Sequence, residues 1–247
     1  MLFTQTGDSQ NPTIILLHGG GLSDWSWQPV ISRLPDYRVV TPIIDGHGAD
    51  GGEDFVNIEA SARTLLRYID AQCGGKVYAI GGLSIGAQIA VEVLSQRPNV
   101  ARYAILESAL VYPITGTTAL TAPSYGLFYG LITKRWFSKM QAKTLCVPDD
   151  LFETYYRDSL RISKQSLINI TVSNGTYALK DTISQTTARV LLIVGSKELG
   201  IMKKSARRLR DCINGSELYI AKGMKHGELS LVHTDDYARL LKDLFGK

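Results

Sequence analysis

Short hydrophobic runs alternate with amphipathic stretches through the first half of the chain and again near its end. Hydrophobic runs bounded by polar or turn-forming residues are typical of buried strands, and apolar residues at helical spacing are typical of one-sided helices. Strands that alternate with helices indicate a mostly parallel sheet with helices on both faces, the α/β class. The predicted strands are residues 13–17, 38–41, 76–80, 103–106, 189–194 and 217–220, and the predicted helices are 25–34, 58–69, 85–96, about 200–212 and about 233–245.

The alternation stops between residues 112 and 187, where the patterns are helical and strand character is low. Pro-Asp-Asp at 148–150 indicates a helix start with acidic residues in its first turn, and Asn-Gly at 174–175 indicates a break. We therefore expect an α/β core at 1–111 and 188–247, with 112–187 as an inserted helical lid. Its aromatic residues either pack the lid onto the core or line an apolar pocket; they are Tyr125, Phe128, Tyr129, Trp136, Phe137, Phe152, Tyr155 and Tyr156.

The composition is ordinary for a globular protein, with 45% hydrophobic and 20% charged residues in a chain of 247. No apolar run reaches the roughly 18 residues that span a bilayer, and the N-terminus lacks a secretory pattern, so we expect no membrane insertion. Cys73, Cys146 and Cys212 form no C-x-x-C pair and are interpreted as free thiols of a reducing, cytoplasmic compartment. The net charge of +4 is mild, and the basic run at 203–210 fits a solvated helix face better than a nucleic-acid or membrane contact.

The most informative local pattern is G-x-S-x-G at residues 82–86, between the predicted strand 76–80 and the predicted helix that follows. This arrangement is typical of a nucleophile elbow, in which a strained turn holds the serine hydroxyl clear of the sheet. Gly82 and Gly86 remove side chains that would collide where the strand and the helix meet. Ser84 is therefore the predicted nucleophile.

A serine nucleophile needs a histidine that takes and returns its proton, and an acid that orients the histidine. His226 is the only histidine between the last predicted strand and the final helix, in a loop where open α/β sheets meet their ligands. Glu198 stands in the turn after strand 189–194 and is the predicted acid. Glu107 ends the strand 103–106 and is the alternative acid.

Backbone N–H groups are the expected donors to the oxyanion that forms during acyl transfer. Ile85 follows the nucleophile at a helix N-terminus, where the helix dipole also favours negative charge. The second donor is expected from His-Gly-Gly-Gly at 18–21, with Gly20 preferred over Gly21 and His18 bracing the loop. A phosphate-binding loop is excluded because no G-K-S/T follows these glycines and no G-x-G-x-x-G is complete.

Asp-Gly-His-Gly at 45–48 is interpreted as a tight turn after a strand. His47 alone could bind a metal ion, but no second ligand lies at a suitable spacing. The sequence therefore predicts no metal site.

Taken together, five motifs make the chain resemble the α/β-hydrolase superfamily over nearly its whole length, and most of all its small lidded esterase-like members. The resemblance implies a sheet of seven or eight strands, the short N-terminus favouring seven, and an acyl-enzyme mechanism without a cofactor. It also implies the triad order Ser84, Glu198, His226, with glutamate where aspartate is usual. Of the other three histidines, His18 and His47 come before Ser84 in the chain, and His233 is expected to begin the last helix. The motifs are HGGG at 18–21, DGHG at 45–48, GLSIG at 82–86, VGSKE at 194–198 and GMKHG at 223–227.

The expected function is hydrolysis of a carboxylic ester, thioester or lactone, with an apolar acyl group on a small-molecule substrate and no nucleic-acid partner. The same triad would also serve carbon–carbon hydrolysis, amide cleavage or perhydrolysis. A ligand sensor or partner-binding protein that retains a slow triad is the alternative from another class.

Overall fold

The computed structural model describes residues 1–50 and 52–246 and contains one seven-stranded sheet. Its strands are β1 (Leu2–Thr6), β2 (Thr13–Leu17), β3 (Arg38–Ile43), β4 (Val77–Leu83), β5 (Ala101–Glu107), β6 (Arg189–Gly195) and β7 (Glu217–Ala221). The strand order is β1-β3-β2-β4-β5-β6-β7, and every neighbouring pair is parallel except β1 with β3. The predicted mostly parallel sheet is therefore confirmed.

Helices follow the strands and pack on both faces of the sheet, as the alternation predicted. They are α1 (Gln28–Ile31), α2 (Ile58–Cys73), α3 (Ile85–Gln96), α4 (Thr117–Phe128), α5 (Arg135–Thr144), α6 (Phe152–Ser159), α7 (Lys164–Thr176), α8 (Gly200–Cys212), α9 (Glu228–Leu231) and α10 (Thr234–Gly246). The helix expected at 25–34 is shorter, because a 3-10 turn at Asp24–Trp27 comes before α1. Pro29 lies in the first turn of α1, where a missing backbone N–H costs nothing.

Two large hydrophobic clusters, one on each face of the sheet, form most of the core, and a small third cluster includes Met202 and Ala206 of α8. Successive side chains of a strand point to opposite faces, so Ile15 and Leu17 of β2 join the cluster with α2 and α3. Ile14 and Leu16 join the cluster that contains Trp27. These four residues of β2 are fully buried, so the strand that leads into the glycine loop at 18–21 is packed on both faces.

The segment between β5 and β6 is helical and contains α4 to α7. The break expected at 174–175 falls one residue later, because α7 ends at Thr176. A Cβ on Gly175 would lie 2.7 Å from Thr117 Cγ2, so this glycine allows α4 and α7 to approach closely in the last turn of α7. The helix start expected at 148–150 is a 3-10 turn at Asp149–Leu151 that leads into α6.

The basic run lies on α8, with Ala206 and Leu209 buried and Arg207, Arg208 and Arg210 exposed, as the helical spacing predicted. Across residues 1–50 and 52–246, no helix combines the length and the apolar character that crossing a membrane requires.

Candidate active site

Ser84 occupies the tight turn between the end of β4 and the start of α3. Its φ of 56° and ψ of −117° are unusual for a residue with a side chain and indicate local strain. Its N–H donates to Glu107 O at 2.9 Å, and its carbonyl accepts from Gln88 N at 3.0 Å. A Cβ on Gly82 would overlap the backbone of Gly86, and a Cβ on Gly86 would overlap Leu17 O. The turn therefore requires glycine at both positions.

A cavity of about 540 Å³ lies over this turn. Gly20, Gly21, Ser84 and Ile85 border it from the sheet side, and side chains of the helical segment border it from the other side. Five of the eight aromatic residues named in the sequence contribute to this lining: Tyr125, Phe128, Tyr129, Phe137 and Tyr155. The predicted nucleophile and the predicted oxyanion donors are thus brought to one mainly apolar cavity.

Ile85 is the first residue of α3, and the first N–H groups of a helix have no intrahelical partner. Gly21 has φ of +77°, a conformation that glycine adopts without a steric cost. The Ile85 N–H therefore does not have to be withdrawn from a helix hydrogen bond before it can point to a substrate.

His18 holds the loop that carries Gly20. Its Nε2 accepts from Ile44 N at 3.0 Å, so its Nδ1 carries the proton and donates to Gly19 O at 2.9 Å. Burial, and then the neighbouring His47, lower the pKa of His18 to about 3. An imidazole that stays neutral at neutral pH suits the bracing role that the sequence predicted.

His47 is also buried, and burial lowers its pKa to about 4. The backbone N–H of His47 donates to Ile44 O at 3.0 Å, within the turn expected at 45–48. No three His, Cys, Asp or Glu side chains within residues 1–50 and 52–246 are grouped so that they could hold a metal ion.

Glu198 and His226 form a hydrogen-bonded pair at the ends of β6 and β7. His226 Nδ1 lies 2.8 Å from Glu198 Oε2. When Nδ1 carries the proton, Nε2 is left as the acceptor that a general base needs. Glu198 Oε1 accepts from Gly195 N at 2.6 Å and from Ser108 Oγ at 2.8 Å, so the buried carboxylate has partners on both oxygens.

The pKa of Glu198 lies below its usual range. Burial alone would raise it, but the hydrogen bond and charge of His226, with the bonds from Gly195 and Ser108, outweigh burial and lower it. The carboxylate therefore stays charged at neutral pH, which stabilises a proton on the imidazole.

The loop that carries His226 packs against the elbow strand and β6. A Cβ on Gly227 would lie 3.1 Å from Leu83 Cδ2, next to Ser84 in the chain, and a Cβ on Gly195 would lie 2.5 Å from Met224 O. Within the described residues, no hydrogen bond joins Ser84 to His226, whose partly exposed ring lies outside the lining of the 540 Å³ cavity. The structure therefore brings Glu198 to His226 but leaves Ser84 unbonded to the imidazole.

Glu107, the alternative acid, is buried at the end of β5 and makes no hydrogen bond to His226 within the described residues. Burial raises its pKa to about 7, against the lowering effects of Ser230 and of a charged His226. A carboxyl that is half protonated near neutral pH is a poorer partner for an imidazolium than the charged Glu198.

Ser108 is a site residue that the sequence analysis missed. It follows β5 directly, it has φ of +57°, and its side chain reaches the carboxylate of Glu198. The sequence signal was a polar residue at the carboxyl end of a central strand, next to Glu107.

The comparisons with known proteins agree with this architecture. A model of the "Alpha/beta hydrolase family" matches residues 14–240. An "AB hydrolase superfamily protein" of Gibberella zeae is 26% identical over 232 residues, which are 88% of this chain and 76% of that protein. A pimeloyl-(acyl-carrier protein) methyl ester esterase of Pectobacterium carotovorum is 31% identical over 91 residues, 36% of this chain and 35% of the esterase.

Solved structures share the fold across nearly the full length. An esterase from Exiguobacterium antarcticum superposes with a TM-score of 0.82 at 17% identity, and the match covers 99% of this chain and 95% of the esterase. Similarity at this level of identity shows a common fold, and the function has to be argued from the site.

Proposed function

The chain belongs to the alpha/beta hydrolase family and is a carboxylesterase-like hydrolase, and we propose that it cleaves carboxylic esters through a covalent acyl-enzyme. We assign Ser84 as the nucleophile, His226 as the general base and acid, and Glu198 as the acid that orients the imidazole. The observation that carries the proposal is the 2.8 Å hydrogen bond that His226 Nδ1 donates to Glu198 Oε2, with His226 in the loop packed against the elbow strand.

Ser84 Oγ attacks the carbonyl carbon of the ester, and His226 Nε2 accepts the hydroxyl proton. The carbonyl oxygen becomes an oxyanion that accepts from the N–H of Ile85 and from the N–H of Gly20, with Gly21 as the second choice. His226 then returns the proton to the leaving alcohol, so the C–O bond breaks and Ser84 carries the acyl group. A water molecule, activated by His226, releases the acid in the same way.

Glu198 contributes by its position and its charge. Its bond to Nδ1 keeps the imidazole in the tautomer whose Nε2 faces away from the carboxylate, and its negative charge stabilises the imidazolium that forms during attack. We expect Ser84 and His226 to come into hydrogen-bond contact when substrate is bound, because catalytic hydrogen bonds are often long in free enzymes and tighten in the complex.

The helical segment at 112–187 is the proposed lid, and the cavity beneath it is the proposed acyl site. Apolar side chains such as Phe137, Leu145, Leu167 and Ile170 border the cavity, which favours apolar acyl groups over charged ones.

Labelling with a fluorophosphonate probe tests the mechanism. The wild type should be labelled, Ser84→Ala should not, and His226→Ala should be labelled far more slowly. A p-nitrophenyl ester series from acetate to octanoate then measures the length of the acyl site. A well-folded wild type that takes no label would contradict the proposal and favour a ligand-binding protein.

A further inference from the structure

The outer surfaces of α4 and α5 expose large apolar side chains to solvent. Leu127 is 76% exposed, Trp136 is 63% exposed, and Phe128 and Met140 are each 54% exposed. Leu120 of α4 is exposed as well. We call these five residues the α4–α5 rim.

Their spacing puts them on common faces of the two helices. Leu120 and Leu127 are seven residues apart, and Trp136 and Met140 are four apart, so each pair shares one side of its helix. Helix α4 contains no charged residue, although most of it is exposed to water. Large apolar side chains exposed on shared helix faces in this way indicate a contact with another apolar surface.

The rim is continuous with the cavity over Ser84. Phe128 and Met140 both border this cavity, although more than half of each side chain is exposed. They therefore lie at its mouth, between the proposed acyl site and solvent. Whatever covers the rim also faces the entrance through which a substrate would pass.

The chain segment that carries the rim has a positive charge. Residues 108–148 contain Lys134, Arg135, Lys139 and Lys143 and no aspartate or glutamate. Arg135 pairs with Glu153 of α6, but none of the three lysines has a salt-bridge partner among the described residues. Acidic residues do come near, since Asp149 and Glu228 border a separate groove together with Lys139 and Lys143. Asp149, Asp150 and Glu153 follow this segment in the chain, so the positive charge is concentrated on α5 and on Lys134 directly before it.

We propose that the α4–α5 rim docks on a lipid surface that carries anionic headgroups. Helix faces rich in Trp, Phe and Leu beside Lys and Arg are typical of segments that lie in the interface of a bilayer without spanning it. In this arrangement Leu127, Phe128 and Trp136 enter the headgroup region, and the lysines contact the anionic headgroups. Docking orients the cavity mouth toward the surface, from which an apolar ester enters directly.

The charge argues against a second copy of the chain as the partner. A two-fold contact between two such rims would bring like charges into opposition, which disfavours association. The docking uses none of the residues assigned to catalysis and goes beyond the proposed esterase activity. It is therefore tested with Ser84→Ala, which lacks the proposed nucleophile, so the result for docking does not depend on whether the proposed esterase activity is correct.

The test is sedimentation of Ser84→Ala with vesicles of phosphatidylcholine alone and with vesicles that also contain phosphatidylglycerol. We expect binding to the anionic vesicles and a blue shift of the fluorescence of Trp136, whose contribution is isolated by comparison with Trp136→Phe. Trp27 is buried and Trp25 donates to Asp158 at 2.9 Å, so neither should respond to lipid.

Two double variants of the rim should weaken this binding. Leu127→Ser with Trp136→Ser removes apolar contacts, and Lys139→Glu with Lys143→Glu reverses two charges; each should lower the affinity at least about tenfold. Val56→Ser, at a side chain that is 61% exposed in front of α2, is the matched apolar control. Arg207→Glu with Arg208→Glu on α8 is the matched charge control.

Unchanged binding by both controls, with loss in both rim variants, supports the proposal. No binding of the parent protein to anionic vesicles would overturn it, and so would loss of binding only in the α8 variant. A dimer that dissociates when the rim is changed would overturn it in favour of a second copy. Binding to an acidic protein such as polyglutamate, without binding to vesicles, would overturn it in favour of a protein partner.

Discussion

Ser108 Oγ donates a hydrogen bond of 2.8 Å to Glu198 Oε1, although the two residues are 90 positions apart in the chain. Gly195 N donates to the same oxygen at 2.6 Å, which leaves Oε2 for His226. Ser108 adopts φ of +57°, a conformation that costs a non-glycine residue about 1 kcal/mol or more. Its N–H donates to Ile193 O at 2.9 Å, which helps to hold the strained residue beside the carboxylate.

Ser108→Ala should lower kcat with little change in KM. The loss of a hydrogen bond to a buried charged group costs about 1.5–3 kcal/mol, and the carboxylate that orients His226 becomes less well held. Steady-state kinetics on a p-nitrophenyl ester measures the split. Ser205→Ala is the control, since this buried serine accepts from Val111 N at 3.2 Å and should affect stability alone. Equal losses of kcat in both variants would contradict a positioning role for Ser108.

Glu198→Gln should reduce kcat by about 10³-fold or more, because an amide neither stabilises the imidazolium nor enforces the required tautomer. Glu107→Gln is the matched control, as a second buried glutamate that makes no hydrogen bond to His226. We expect it to retain most of the activity. The reverse ranking of the two variants in an esterase assay would transfer the acid role to Glu107.

Glu107 should also make stability depend on pH. Its folded pKa of about 7 lies above the ordinary value of 4.5, so the folded state binds the proton more tightly than the unfolded chain. The contribution of Glu107 is therefore fully present below about pH 4.5 and is lost as pH rises to about 7. Glu107→Gln should raise the free energy of unfolding at pH 8 by up to about 3 kcal/mol relative to wild type, with a smaller gain at pH 5. Urea unfolding at both pH values measures this, and equal gains would exclude titration of Glu107 as the cause.

Gly86→Ala should destabilise the fold severely, since the added Cβ would overlap Leu17 O of the neighbouring strand and backbone cannot move away cheaply. We expect a loss of several kcal/mol or no soluble protein. Gly126→Ala is the control on α4, because a Cβ there meets nothing within 4 Å. That change should stabilise the protein by about 0.5–1 kcal/mol, as expected for alanine in place of glycine within a helix. Thermal unfolding compares the two, and a tolerated Gly86→Ala would contradict the close-packed elbow.

The fold class could be predicted from the sequence because it depends on local periodicity. Buried parallel strands appear as short hydrophobic runs, and the helices that cover them have apolar residues on one face. The positions of Ser84, Glu198 and His226 follow from the same reading, since each comes directly after a recognisable strand or in the loop beyond it. The need for glycine at 82 and 86 could be predicted as well, because the geometry of a tight turn restricts which residues fit there.

The relationships between distant segments came only from the tertiary structure. The sequence did not show that Ser108 reaches Glu198, or that Gly175 packs against Thr117 in the last turn of α7. Nor did it show which aromatic residues of 112–187 face the cavity and which face solvent, as Trp136 does. Periodicity specifies which side of an element is apolar, whereas the contacts of that side depend on how elements far apart in the chain pack together. The chain itself therefore determined the sheet, the elbow and the candidate triad, and packing decided what holds the acid and what the rim exposes.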